Sequence, residues 1–171
     1  MNSAKIVIRP AGPEDVGLVL RFVRELAEYE RLADQARATE EDYRTSLFGE
    51  RPAAEVLIAE FADEPVGFAL FFQNFSTFVG RPGIFLEDLY VRPEARGRGI
   101  GKALLEELVR LAYERGCGRV EWAVLDWNEP AIKFYESLGA RMMKDWRIFR
   151  LDRAAIEDIA RKKSSRNGHE R

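Results

Sequence analysis

Residues 91–108, VRPEARGRGIGKALLEEL, set three glycines and three arginines between an apolar stretch and a helix-periodic one. The preceding GIFLEDLYV (83–91) is rich in branched and aromatic residues and reads as a strand. After the glycines, Ile100, Leu104, Leu105, Leu108, Leu111 and Ala112 trace one helix face, which Gly116 closes as a C-terminal cap. A strand feeding a helix through a glycine turn leaves the first helical N–H groups unpaired, at the positive end of the helix dipole. That constrains the chain to a sheet with a helix laid on it, and the helix start is built to hold an anion such as phosphate.

Two familiar phosphate-holding designs do not fit. A nucleotide P-loop needs G-x-x-x-x-G-K followed by Ser or Thr, whereas Gly97 to Gly101 is one residue short and Ala103 follows Lys102. A dinucleotide fingerprint needs a third glycine where Lys102 stands, after an apolar strand and not one carrying Glu87 and Asp88, although Glu121 lies at about the spacing of a ribose contact. What remains is Arg96-x-x-Gly99-x-Gly101, an arginine-led loop that wraps a pyrophosphate with consecutive backbone amides. A glycine-rich turn capping an ordinary helix is the other reading of the same six residues.

The rest of the chain alternates short strands and helices. KIVIRP (5–10) opens as a strand, and Pro13 starts a helix running to about Tyr29. Thr39 with Asp42 reads as the capped start of a second helix through Phe48. EVLIAEF (55–61) and PVGFALFF (65–72) form a hairpin, RVEWAVL (119–125) a strand, and NEPAIKFYESLGA a short helix with Asn128 as N-cap and Gly139 at its end. WRIFRL (146–151) supplies a last strand before AAIEDIARK continues as a helix. The order βααβββαβαβ predicts a mixed α/β sheet with helices on both faces.

With 171 residues, 46% hydrophobic and 33% charged, the chain reads as a single soluble domain over 1–160. The tail 161–171, RKKSSRNGHER, carries five Lys/Arg against one Glu and is expected to be disordered; it leaves residues 1–160 at net −6 within an overall −2. An acidic body favours a cationic ligand over nucleic acid. The single Cys117 excludes an internal disulfide, and with His169 the only histidine no metal site is expected. Cys117 reads as a small buried hydrophobe. No apolar run approaches the ~20 residues of a membrane span, and MNSAKIVIRP lacks the apolar middle of a signal segment, so a cytoplasmic location without membrane contact is expected.

LEDLYVRPEARGRGIG and AVLDWNEPAIKFYESLGA, with RELAEYE (24–30) and DWRIFRL, resemble the GCN5-related N-acetyltransferases (GNAT), in their diamine acetyltransferase branch. The likeness covers nearly the whole chain except the final tail. STFVGRPGIFLEDLYV and VLDWN resemble the thialysine-acetylating members more than the dedicated spermidine/spermine enzymes. The resemblance implies a GNAT fold whose mixed central sheet splays at an acetyl-CoA site, and commonly a homodimer. It implies that Arg96, Gly97, Arg98, Gly99, Ile100, Gly101 and Lys102 cradle the CoA pyrophosphate. The backbone of Leu89, Tyr90 and Val91 would run along the pantetheine arm, whose amides pair as a pseudo-strand. Asn128, Glu129, Pro130 and Ala131 would also contact CoA, although Asn128 serves equally as an N-cap.

Acetyl transfer to an amine requires a proton to leave the nitrogen and the departing sulfur to be protonated or otherwise stabilised. Glu87 and Asp88 point to opposite faces of a regular strand, so a bulge near Asp88 or Leu89 is expected to re-aim one of them. Glu87 would then accept the ammonium proton through water; an exposed edge carboxylate, or an ion pair with Arg92, is its other reading. Tyr135 occupies the family's position for the general acid, while packing beside Ile132, Phe134 and Leu138 would be its structural use. Acceptor contacts are expected from Tyr29, Glu30, Glu87, Asp88, Glu121, Trp122 and Ala123. Glu25, Glu28, Glu30 and Asp34 also fit a solvated helix face.

The polyamine branch presents an acid and a Trp where this chain has Ser76 and Phe78, which favours a thialysine-like or other small primary amine over spermidine. The expected activity is direct acetyl transfer from acetyl-CoA to a small amine. Protein or peptide acetylation, and a non-catalytic acyl-CoA sensor, are the alternatives.

Overall fold

The structure is a computed structural model describing residues 5–167. The chain divides into two compact units, Met1–Ala123 and Val124–Arg171.

The first unit is a five-stranded sheet ordered β1-β2-β3-β4-β5, comprising Ile6–Pro10, Glu55–Phe61, Glu64–Ser76, Arg81–Val91 and Val120–Trp122. The first four strands pair antiparallel and β5 joins β4 in parallel, giving the expected mixed sheet. On β2, Val56 and Ile58 alternate with Leu57 and Ala59, and all four are buried, so both faces of the sheet are covered. Helices α1 (Val16–Tyr29) and α2 (Glu40–Phe48) cover one face, where Val19, Phe22, Leu26 and Leu47 pack on Val56, Ile58, Phe68, Leu70 and Tyr90. Helix α3 (Ile100–Glu114) packs on β1 to β4 with Ile100, Leu104 and Leu108 buried.

Local chemistry fixes the helix ends as the residues suggest. Thr39 Oγ1 accepts from Asp42 N–H at 3.2 Å while Asp42 Oδ2 accepts from Thr39 N–H at 2.8 Å, a closed capping box at the start of α2. Gly116 takes φ +66 after α3, and Cys117 N–H returns to Ala112 O at 2.9 Å. Cys117 is half-buried, more open than expected.

The second unit holds α4 (Glu129–Ser137) and α5 (Arg153–Asn167), with irregular chain between them. Three expectations need correction. The strand expected over 119–125 is only Val120–Trp122. The last strand over 146–151 is absent among the described residues: 141–152 take neither helix nor strand, with Trp146 71% and Phe149 93% exposed. Branched and aromatic residues give strand propensity, but a strand forms only where a neighbour takes its backbone hydrogen bonds. The expected boundary at 160 falls inside α5, so 161–167 is helical and not disordered, supported by Arg161–Glu157 and Lys162–Asp158 pairs one turn apart. Residues 168–171, with His169, lie outside the described residues.

Candidate active site

β4 determines the site. Leu70 pairs with Asp88 but Phe71 pairs with Leu86, so Glu87 is an extra residue bulged out of the ladder. The bulge lies one residue before the expected Asp88 or Leu89. Buried Leu86 and Tyr90 hold the register on either side, and Glu87 is the exposed residue between them that solvent can take. In an unbroken strand Leu86 and Asp88 would share a face. The extra residue instead puts Asp88 across from Leu70, on the face that α1 and α2 cover, while Leu86 stays with Phe71 on the other.

The parallel ladder to β5 ends at Leu86–Trp122. Beyond it β4 continues from Glu87 to Val91 with no strand on that side among the described residues, so the sheet opens there as expected. The edge of Leu89, Tyr90 and Val91 leads into the glycine turn. Gly97 and Gly99 adopt φ +76 and +82, which let the chain reverse so that α3 begins at Ile100 with no side-chain cap on Gly99. A Cβ built at either glycine meets nothing within 4 Å. An uncapped start to a fifteen-residue helix, with open space before it, fits the diphosphate of a coenzyme.

The acidic side of the site is built by tertiary contact. Burial, then the neighbouring charges of Glu87 and Glu30, push the Asp88 carboxyl from its usual 3.8 up to about 7. Burial also raises Glu30. The Tyr43 phenol on α2 is raised by burial and by Asp88. The end of α1, α2 and β4 therefore bring together a partly desolvated acidic cluster, whose charge suits a cationic amine. The sequence did not point to Tyr43, since a tyrosine on a short capped helix carries no spacing signal toward β4.

The sequence pattern of the Acetyltransferase (GNAT) family matches residues 22–140. The chain belongs to this family. Thialysine N-epsilon-acetyltransferase from Sus scrofa is 41% identical over 170 residues, covering 93% of this chain and 99% of that protein. L-ornithine N5-acetyltransferase from Arabidopsis thaliana is 32% identical, covering 89% and 86% respectively. Among solved structures, an integron cassette protein from the mobile metagenome of V. cholerae superposes with a TM-score of 0.76 at 29% identity, covering 91% of this chain and 97% of that one. As a GNAT member the protein is an N-acetyltransferase, and the family's cosubstrate is acetyl-CoA.

The other expected site residues of this acetyltransferase are placed as follows. Arg96 does not turn its side chain toward the glycine loop: Nε donates to Val91 O at 2.8 Å, and the guanidinium stacks 4.6 Å from the Tyr29 ring centroid and 5.8 Å from that of Tyr90. Arg98 lies over Phe61 at 5.0 Å and Lys102 pairs loosely with Glu106 at 3.6 Å. Arg92 pairs with Glu25 at 2.8 Å, so the alternative ion pair with Glu87 is not formed. Glu121 is engaged by Arg119 at 2.7 Å, with Trp122 ending β5 and Ala123 exposed after it. Ser76 is buried and accepts from Val79 N–H at 3.4 Å, and Phe78 is exposed at the hairpin tip, so neither brings a carboxylate. In the second unit Asn128 Oδ1 accepts from Ala131 N–H at 3.4 Å, which makes it the N-cap of α4. Glu129 and Pro130 form the first turn, and the Tyr135 ring packs 5.3 Å from Phe134.

Among the described residues no helix is long and apolar enough to cross a membrane, and no group of three His, Cys, Asp or Glu is placed to hold a metal ion.

Proposed function

We propose that the protein transfers the acetyl group of acetyl-CoA directly to a primary amine of a small molecule, namely a thialysine-like amino acid, a diamine or a polyamine. The observation that carries this reading is Asp88, set by the β4 bulge on the face that α1 and α2 cover, near the charge of Glu30, on the strand that leads into the uncapped start of α3. The relatives' names support it: thialysine and L-ornithine each present a side-chain amine on an amino acid. The family match over residues 22–140 supports it as well. A cytoplasmic homodimer belongs to the same reading and rests on the sequence and its resemblance.

Bound acetyl-CoA supplies the acyl group as a thioester. The amides of Gly97 to Lys102 and the dipole of α3 hold its diphosphate, and the free edge of Leu89 to Val91 aligns its arm. Asn128 to Ala131 add contacts to the coenzyme. Asp88 and Glu30 bind the acceptor's ammonium, with Tyr29 and the end of β5 completing the pocket. Glu87, bulged and open to solvent, takes the ammonium proton through water so that the nitrogen attacks as a free amine. Tyr135 gives its phenolic proton to the departing sulfur. The transfer needs no acyl-enzyme.

A screen of acetyl-CoA with thialysine, ornithine, diamines, polyamines and lysine peptides, following thiol release, tests the reading. Turnover of small amines well above peptides is expected. Preference for peptides favours protein acetylation, and tight CoA binding without turnover of any acceptor favours a sensor. Gly99→Ala, forced into a left-handed backbone, is expected to raise the KM for acetyl-CoA about tenfold while kcat at saturation changes little. An unchanged KM in initial-rate assays would remove the glycine turn from coenzyme binding.

A further inference from the structure

We propose that the Arg96 guanidinium positions the amine acceptor's site and is not a ligand of the coenzyme diphosphate. The inference rests on the acetyltransferase reading above. The side chain has three partners, none of them in the glycine turn: the Val91 carbonyl at 2.8 Å and the rings of Tyr29 and Tyr90 at 4.6 and 5.8 Å. A planar, weakly hydrated cation suits such stacking, and one N–H directed at a strand carbonyl fixes its plane.

The contact is the second of two rungs joining α1 to the end of β4. In the first, Arg92 pairs with Glu25 at 2.8 and 3.0 Å and lies 4.9 Å over Phe22. In the second, four residues further along each segment, Arg96 meets Tyr29, the last residue of α1. Past Tyr29 the helix closes on its own backbone, with Glu30 N–H donating to Leu26 O at 2.9 Å and Leu32 N–H to Ala27 O at 2.8 Å, and Arg31 at φ +62 reverses the chain. Glu30, one of the two carboxylates assigned to the ammonium, sits between that pinned ring and the reversal. The backbone closure fixes the chain there, and Arg96, by holding the Tyr29 ring next to Glu30, sets the wall beside which Glu30 presents its charge, while its own backbone begins the glycine turn. One residue thereby ties the coenzyme loop, through the chain, to the acceptor pocket, through its side chain.

The test is steady-state kinetics of the full chain with acetyl-CoA and the best amine of the screen, on Arg96→Met, Tyr29→Leu and their combination. Arg96→Met is expected to raise the amine KM about tenfold and the acetyl-CoA KM less than about twofold, the size of a lost cation–ring contact. Tyr29→Leu should give the same split, and the double variant should be no worse than either alone, because both remove one interaction. Arg96→Lys, which keeps the charge without the planar stack, should recover part of the loss; it also reads the split should Arg96→Met fail to fold. A rise in acetyl-CoA KM that matches or exceeds the amine's, additive losses, or unchanged amine KM overturns the proposal. A wild type that turns over no amine overturns the functional reading itself, and this proposal with it.

Discussion

Tyr135→Phe is expected to lower kcat by about 100-fold or more while the affinity for CoA stays within about twofold. The substitution removes one oxygen and keeps the ring that packs against Phe134, so α4, capped by Asn128, should hold its form. A phenol is ordinarily protonated at neutral pH and can give that proton to a departing thiolate. The loss should therefore fall on the chemical step. Single-turnover rates with saturating acetyl-CoA read that step directly, and CoA titration reads binding. A full rate in the variant would leave Tyr135 with packing as its only role.

Asp88→Asn is expected to lower kcat/KM for the amine by about 100-fold at pH 8 and to leave little difference at pH 5. With its carboxyl pushed up to about 7, Asp88 is neutral at pH 5 and charged at pH 8, so only the higher pH gives it a charge for the acceptor. The ratio of wild-type to variant kcat/KM should rise through about pH 7, and taking the ratio cancels the amine's own ionisation. Stability should move the opposite way. The folded-state value lies above the unfolded 3.8, so between about pH 4 and 7 the native state holds a proton that the unfolded chain releases. That contribution is complete below about pH 4 and is lost as pH rises through 7. Asp88→Asn should accordingly be more stable than wild type at pH 8, by up to about 4 kcal/mol in urea melts, with the gap closing near pH 4. A flat activity ratio, or a variant less stable at pH 8, would show that Asp88 is not the buried acid described.

Much of the scaffold was legible because its signals are local. Thr39 and Asp42 close a capping box between residues three apart, and Gly97, Gly99, Gly116 and Gly139 all take the left-handed backbone that their turn positions ask for. The 83–91 strand and the face from Ile100 to Ala112 carry their own periodicity. WRIFRL shows the limit: it is as rich in branched and aromatic residues as β2, yet it forms no strand, because strand formation depends on a partner that its residues do not encode. The site residues divide in the same way. Adjacent carboxylates at 87 and 88 and the glycine turn were visible as a pair and a spacing. That Arg96 would spend its charge on Tyr29, 67 positions away, was not.

The sequence by itself determined the strand, turn and helix from 83 to 114, the uncapped start of α3 and the presence of two neighbouring acids, since each depends on residues within a few positions of one another. Only the tertiary structure decided where each acid sits. A single residue left out of the β3–β4 ladder exchanges the faces of everything beyond it, and that placed Glu87 in solvent and Asp88 beside Glu30 and Tyr43. Register is set by how buried Leu86, Phe71 and Tyr90 pack across strands, an agreement between distant residues that no stretch of chain holds alone.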